Sequence, residues 1–167
     1  QADKAFAHYA QAAQVRFTDQ LALRSAIALE RSGRAGQIPA LVGSYLAIYP
    51  ESRLMARIAA NLALGRKDWK AARALLENLK QRGGNRDARL LADLSQAQTH
   101  DGDAKAGLES ARRAWQLAPA SAFAAQALGL ALIAAGEEPE AARQLIEQAR
   151  KIGGDNPQLA AARKALG

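Results

Sequence analysis

The fold is decided by residues 91–136, which read LADLSQAQTHDGDAKAGLESARRAWQLAPASAFAAQALGLALIAAG. Three pairs of similar residues in this stretch are each 34 positions apart: Leu94 and Leu128, Ser95 and Gly129, Gly102 and Gly136. A fixed period of this length is typical of repeat proteins, in which each repeat is one supersecondary unit that stacks on its neighbours.

Short clusters of turn-forming residues divide the rest of the chain at similar intervals. They lie at residues 32–36, 49–51, 65–68, 82–85, 100–103, 118–120, 135–137 and 153–157. The segments between them carry apolar residues at helical spacing, as Leu75, Leu76 and Leu79 illustrate. Proline, asparagine or aspartate precedes these segments and glycine follows them, as helix ends require. The pattern predicts ten short helices joined by tight turns.

Composition supports an all-helical chain. Alanine, the strongest helix former, supplies 42 of the 167 residues, and aromatic residues only 5%. This balance excludes an all-β fold, because alanine is a weak strand former. Cysteine is absent, which excludes disulfides, thiolate metal sites and cysteine nucleophiles.

A helix–turn–helix unit that recurs near 34 residues resembles the tetratricopeptide repeat family. The unit that fits best contains Leu91, Leu94, Ser95, Gly102, Gly107, Ala111, Ala114 and Pro119. The resemblance implies an all-α α-solenoid of stacked antiparallel helix pairs that curls into a right-handed superhelix. The units are degenerate, since no tryptophan opens a first helix and Gln98 stands where a tyrosine is usual.

The resemblance spans nearly all of residues 1–167 as a single array. We expect the second helix of a partial leading repeat, four repeats and a capping helix, at 1–17, 18–50, 51–85, 86–119, 120–156 and 157–167. Ala5, Tyr9 and Ala12 have the spacing of a second helix, so the chain is expected to be a piece of a longer protein. Small residues are expected to let the first helix of each pair approach the second closely, namely Ala26, Ala59, Ser95 and Gly129. The repeat at 51–85 fits two registers that differ by one residue.

Motifs for catalysis and cofactor binding are missing. No glycine-rich phosphate loop is present, and the two histidines, His8 and His100, are too far apart in sequence for a recognisable zinc site. No serine has a neighbouring histidine with an orienting acid. We therefore predict a protein that is not an enzyme and binds no cofactor or metal.

Other candidate residues have structural explanations. Asp101, Asp103 and the glutamates at 137, 138 and 140 are expected in first turns of helices, where anions are favoured. His100 is expected near a helix C-terminus, where it complements the helix dipole. Trp69 and Trp115 are expected in the core.

Charge points to an acidic partner. The net charge is +7, and residues 50–90 carry ten Lys or Arg against four Asp or Glu. Arginine supplies 16 of the 23 basic residues, and its guanidinium grips carboxylates with two hydrogen bonds. No apolar run is long enough to span a membrane, because the longest, 122–135, has 14 residues. Membrane insertion is therefore not expected, and cytoplasm and periplasm remain equally compatible.

The resemblance also implies that first helices floor a concave groove that binds a partner protein or peptide. The groove residues would be Arg24, Arg53, Arg57, Asn61, Arg89, Asp93, Gln96, Phe123 and Gln126. The floor is expected to be basic in the middle and apolar at the C-terminal end, with Phe123 as a hydrophobic anchor site. Binding of chaperone tails is disfavoured, because Leu23 and Ile27 occupy the places of the lysine and asparagine of the carboxylate clamp.

Two alternatives to a protein–protein interaction scaffold stay open. The basic region 50–90 could bind nucleic acid, although the stacking aromatics of single-strand binders are nearly absent from the first helices. The chain could also be a self-assembling structural module. The sequence leaves the oligomeric state undecided.

Overall fold

The computed structural model describes residues 3–5, 8 and 18–167, and in these residues the regular structure is helical, with no β-strand. The chain divides into two compact units, Gln1–Gly65 and Arg66–Gly167. The first unit contains α1 (Asp19–Arg31), α2 (Ile38–Ile48) and α3 (Arg53–Gly65). The second contains α4 (Trp69–Gln81), α5 (Ala88–His100), α6 (Ala104–Leu117), α7 (Ala122–Ala135), α8 (Pro139–Gly153) and α9 (Pro157–Ala165). The short 3₁₀ turns Ala35–Gln37 and Gly84–Arg86 precede α2 and α5.

Side-chain caps start most of these helices. Each capping oxygen accepts a hydrogen bond from the amide three residues later, which satisfies one of the otherwise unpaired donors of the first turn. These residues are Thr18, Asp68, Asp87, Asp103 and Asn156. The capping pattern explains why the helices start beside the polar clusters seen in the sequence.

Left-handed residues occur at several turns between helices, and two of them are not glycine. Gly136 ends α7 with a φ of 69°, a conformation that glycine adopts without strain. Lys67, in the turn before α4, has a φ of 59°, and Glu138, before α8, has a φ of 47°. The sequence gives no sign of these two positions, because glycine normally marks such turns.

One apolar cluster joins the three helices of the first unit. Ala22, Val42, Tyr45 and Met55 are buried together, one or two from each helix. The Tyr45 hydroxyl donates a hydrogen bond of 2.6 Å to Asp19 Oδ1 and so ties α2 to α1. Burial, followed by the contact with Asp19, raises the pKa of Tyr45 above its ordinary value.

In the second unit, very small residues let neighbouring helices approach closely. A Cβ atom on Gly107 would collide with Thr99 Oγ1 and lie 3.1 Å from the Ser95 carbonyl oxygen. A Cβ on Gly129 would lie 2.9 Å from Ile146 Cδ1. These contacts agree with the prediction that Ser95 and Gly129 mark close packing between paired helices.

Burial in α3 differs from the prediction by one residue. The prediction paired Ala59 with Ala26 and Ser95 as a small packing residue. The structure leaves Ala59 half-buried and buries Ala60 completely. Ala60, and not Ala59, is therefore the buried small residue of α3, and the register of the repeat stays a prediction.

A polar network links α4, α5 and α6. Gln98, in the place where a tyrosine is usual, is 5% exposed. It accepts a 2.7 Å hydrogen bond from the Ser110 hydroxyl and donates one of 3.3 Å to Glu77. Arg73 pairs with Glu77, Asp101 and Asp103 at 2.9, 3.3 and 3.0 Å.

One carboxylate in this network, Asp101, differs from its predicted role. Asp101 is the C-cap of α5 and does not lie in a first turn, and it stays there because Arg73 offsets the unfavourable end of the helix dipole. Asp103 caps α6, and the Ala106 amide, followed by Arg73, lowers the pKa of its carboxyl group. The contact with Glu77, together with the two aspartates, raises the pKa of Arg73.

Both tryptophans are half-buried in the second unit. Trp115 packs against three adjoining apolar clusters, in agreement with its predicted place in the core. Trp69 instead stacks on the His100 ring, with centroids 4.3 Å apart and planes at 18°. His100 is the last residue of α5, the position expected for it.

The last helix covers an apolar face. α9 buries Leu159 and Ala162 against Ala125, Ile146 and Ala149. The Arg143 guanidinium also hydrogen-bonds to the Leu166 carbonyl oxygen just beyond α9. The predicted helix at 1–17, with Tyr9 and Ala12, lies mostly outside the described residues, and the division into repeats stays a prediction.

Candidate binding pocket in the second unit

The second unit contains a pocket of about 300 Å³ that is open on one side. Residues of α5 and α7 form its walls, and the turn after α8 together with the start of α9 forms one end. α5 and α7 are each the first helix of a pair, and α9 follows the last pair. All three helices contribute to the pocket. This volume is at the lower end of the range for small-molecule pockets.

The rim on the α5 side carries one charge of each sign. Arg89 is exposed, with 62% of its side chain accessible, and its Nε atom lies 3.3 Å from Asp93 Oδ1. The Asp93 side chain is only 13% exposed. The two residues are one helical turn apart, so their contact is favoured by the α-helical geometry.

Phe123 lies against the Arg89 guanidinium. The guanidinium carbon is 5.3 Å from the centroid of the Phe123 ring, a cation–π contact between α5 and α7. The other side of Phe123 packs near Ala92 and Ala124 in the core. Arg89 is therefore held in place by an acid from its own helix and by a ring from the next pair.

Amide side chains form the end of the pocket near α9. Gln126 donates a 2.6 Å hydrogen bond to Gln158 Oε1 and accepts one of 2.9 Å from Asn156 Nδ2. Asn156 also caps α9 through its Oδ1 atom. These bonds fix the first turn of α9 beside the pocket.

The floor of the pocket is apolar and made of small residues. It consists of Ala92, Ala122, Ala127, Leu130, Ala131, Ala149 and Leu159. Gln96, Thr99 and His100 complete the wall on the α5 side. The pocket exists because alanines stand where larger side chains would otherwise fill the space between the helices.

The pocket brings together five of the nine residues predicted for the groove: Arg89, Asp93, Gln96, Phe123 and Gln126. The other four, Arg24, Arg53, Arg57 and Asn61, lie in the first unit on α1 and α3. Arg24, Arg53 and Asn61 are exposed there, and Arg57 is half-buried.

Sequence reasoning missed the contribution of Asn156 and Gln158. Residues 157–167 were interpreted only as a cap, so their outer surface was not considered. The 34-residue period could have indicated this contribution. Position 157 is 34 residues after Phe123, so the start of α9 corresponds to the start of α7 in the repeat.

The basic middle of the expected floor stays a prediction, because Arg53 and Arg57 lie in the first unit. Arg89 is the one lysine or arginine lining this pocket, and Asp93 offsets its charge at 3.3 Å. The part of the chain that the structure describes also contains no cluster of three metal-ligating side chains. None of its helices combines the length and the apolar character needed to cross a bilayer.

The fold is an all-α arrangement of stacked helix pairs, as in helical-repeat proteins. No family model matches the chain, and no curated protein matches it by sequence. Solved structures do match.

Two similar structures are forms of the protein MamA. A MamA double mutant from strain RS-1 matches with a TM-score of 0.76 and 19% identity, covering 90% of this chain and 84% of MamA. MamA from residue 41 to its end, from Desulfovibrio magneticus RS-1, has a TM-score of 0.75 and 20% identity over 91% of this chain and 88% of its own. Identities this low establish the fold alone.

A third similar structure is the APC/C hetero-tetramer Cut9–Hcn1. Its TM-score is 0.75 with 17% identity, and the match covers 99% of this chain. The chain spans only 33% of that protein's length. The shared feature is again the stacking of helix pairs, which confirms the all-α solenoid predicted from the sequence.

Proposed function

We propose that the protein is a protein–protein interaction scaffold that binds a segment of a partner along its first helices and catalyses no reaction. The pocket between α5, α7 and α9 is the observation that carries this proposal, because it combines an apolar floor with a few convergent polar groups. In a repeat protein such a surface recognises an inserted side chain and the chain on either side of it.

The partner segment is proposed to carry acidic residues and one hydrophobic anchor. The net charge of +7 attracts acidic partners from a distance. Arg24 and Arg53 are exposed on first helices of the first unit and can each grip a carboxylate. In the second unit the anchor would rest beside Phe123, where the floor is apolar.

Charge reversal tests the proposal. The triple variant Arg53→Glu, Arg57→Glu, Arg89→Glu is expected to abolish capture of the partner from a cell extract, while helical circular dichroism stays unchanged. Because Arg57 is half-buried, a second variant with Arg57→Gln separates loss of binding from loss of folding.

A matched control reverses three exposed cations that lie on second helices, namely Lys70, Lys105 and Lys151. This control changes the net charge by the same amount and is expected to retain the partner. Equal loss in both triple variants would show that only overall charge matters. Retained capture in the first would reject binding along the first helices.

A further inference from the structure

The charges at the pocket favour a ligand that is itself dipolar. Arg89 and Asp93 both line the pocket, with Arg89 Nε and Asp93 Oδ1 3.3 Å apart. A bare anion that approaches Arg89 is repelled by Asp93, and a bare cation that approaches Asp93 is repelled by Arg89. A ligand with a carboxylate and an ammonium group on neighbouring atoms satisfies both.

The orientation of Arg89 suits a carboxylate. Asp93 contacts Nε, which leaves the two terminal amino groups of the guanidinium for a two-pronged contact. The Phe123 ring, 5.3 Å from the guanidinium carbon, restrains the guanidinium on another side. An arginine restrained in this way loses less side-chain freedom when it binds.

The remaining surface suits an uncharged side chain of modest size. Ala127, Leu130, Ala131 and Leu159 provide an apolar floor, and the neutral amides of Gln126 and Asn156 stand at its edge. The pocket volume of about 300 Å³ is enough for one small molecule or for one inserted side chain.

From these three features we infer that the pocket binds a free α-amino acid with an apolar side chain. The ligand carboxylate accepts hydrogen bonds from the terminal amino groups of Arg89, and the ligand ammonium group donates to the Asp93 carboxylate. The ligand side chain lies on the alanine and leucine floor. This inference goes beyond the proposed scaffold function and does not rest on it.

Titration calorimetry of the full chain with three probes tests the inference. The probes are L-leucine, N-acetyl-L-leucine, which lacks the ammonium charge, and L-leucinamide, which lacks the carboxylate. L-Leucine is expected to bind, and each blocked derivative is expected to bind at least about tenfold more weakly, because it forfeits one charge-assisted contact. L-Glutamate and L-lysine are expected to bind more weakly than L-leucine, because the floor is apolar.

Two variants test which charged side chain contacts which charged group of the ligand. Asp93→Asn is expected to weaken L-leucine binding about tenfold and to strengthen binding of N-acetyl-L-leucine, which makes no ammonium contact and no longer meets the repelling Asp93 charge. Arg89→Gln is expected to weaken L-leucine binding and to strengthen binding of L-leucinamide for the corresponding reason. This crossed pattern does not arise from a general structural loss, and circular dichroism checks the fold of each variant. Arg112→Gln, which removes an exposed ion pair with Glu137 and Glu138 outside the pocket, serves as the control.

The other outcomes overturn the inference. Absence of binding by L-leucine rejects it, and equal binding of N-acetyl-L-leucine would assign the pocket to the carboxy-terminal residue of a polypeptide. Equal binding of L-leucinamide would assign it to an amino-terminal residue. Because no partner protein is present, failure here is distinct from failure of the scaffold proposal, which capture by the charge-reversed variants decides.

Discussion

The two units reach stability by different routes. The first unit packs Ala22, Val42 and Met55 around Tyr45, whose hydroxyl is held by the half-buried Asp19. The second unit brings helices close together through residues such as Gly107 and adds a polar network centred on Gln98. An added atom is costly where helices approach this closely, whereas Gly43 in the first unit has no atom within 4 Å of an added Cβ. The second unit is therefore expected to be the more sensitive to small changes.

The largest effect is expected from Gly107→Ala. The added Cβ would collide with Thr99 Oγ1 and crowd the Ser95 carbonyl oxygen, at a cost of about 2–3 kcal/mol in the free energy of unfolding. Urea titration followed by circular dichroism measures this change.

Gly43→Ala in α2 is the matched control in the first unit. No atom lies within 4 Å of the added Cβ, so the higher helix propensity of alanine should stabilise the protein by up to about 1 kcal/mol. If both variants shift stability in the same direction, close packing does not distinguish the two units.

The next prediction compares the loss of stability when each of two hydroxyl groups is removed. Ser110→Ala removes the donor to buried Gln98 and is expected to cost about 1–3 kcal/mol, because the abandoned carbonyl cannot reach water. Tyr45→Phe removes the donor to Asp19, which is half-buried and can be rehydrated, so its cost should be about 1 kcal/mol or less. Thermal unfolding of both variants measures the difference, and an equal cost would contradict the role assigned to burial.

The first unit should lose stability at alkaline pH, and the second unit should lose stability at acid pH. The raised pKa of Tyr45 means that its contribution is complete below about pH 10, the usual tyrosine value, and is lost as the pH rises through the folded-state value. The lowered pKa of Asp103 means that its contribution is present above about pH 4 and is lost as the pH falls through the folded-state value.

Stability measured against pH in two variants separates these effects. Tyr45→Phe should flatten the alkaline decline alone, and Asp103→Asn should flatten the acid decline alone. An unchanged alkaline profile in the Tyr45→Phe variant would show that Tyr45 does not cause the loss of stability at alkaline pH.

The smallest effect is expected at a turn. Lys67→Gly should stabilise the second unit by about 0.5–1 kcal/mol, because Lys67 has a φ of 59° that costs a residue with a side chain more than it costs glycine. Lys70→Gly, within α4, should destabilise it by about 1 kcal/mol. Denaturant midpoints of the two variants check the contrast.

The sequence predicted the helices and their stacking because both depend on local spacing. Alanine-rich segments between turn-forming residues favour helices through their local sequence alone. The 34-residue period predicts which residues occupy equivalent positions in neighbouring helix pairs. The small residues Ser95 and Gly129 could be identified in this way. Ala59 could not be distinguished from Ala60, because both are alanine and only burial separates them.

Contacts between distant residues could not be predicted in the same way. Arg73 meets Asp101 and Asp103 across 28 and 30 positions, which requires the stacking geometry of α4 on α5 and α6. The candidate site was predicted in part, since the resemblance to the tetratricopeptide repeat implies that Arg89 and Phe123 line the same groove. The compensation of Arg89 by Asp93 and the amides of Asn156 and Gln158 emerge only from side-chain positions.

The stacking of Trp69 on His100 places an indole ring next to the wall of the pocket. A molecule that enters the cavity is expected to change the surroundings of the imidazole and, through the stacked ring, the fluorescence of Trp69. The second tryptophan, Trp115, lies among apolar clusters, so a Trp115→Phe variant isolates this signal. Occupancy of the pocket should therefore be readable from intrinsic fluorescence without an added label.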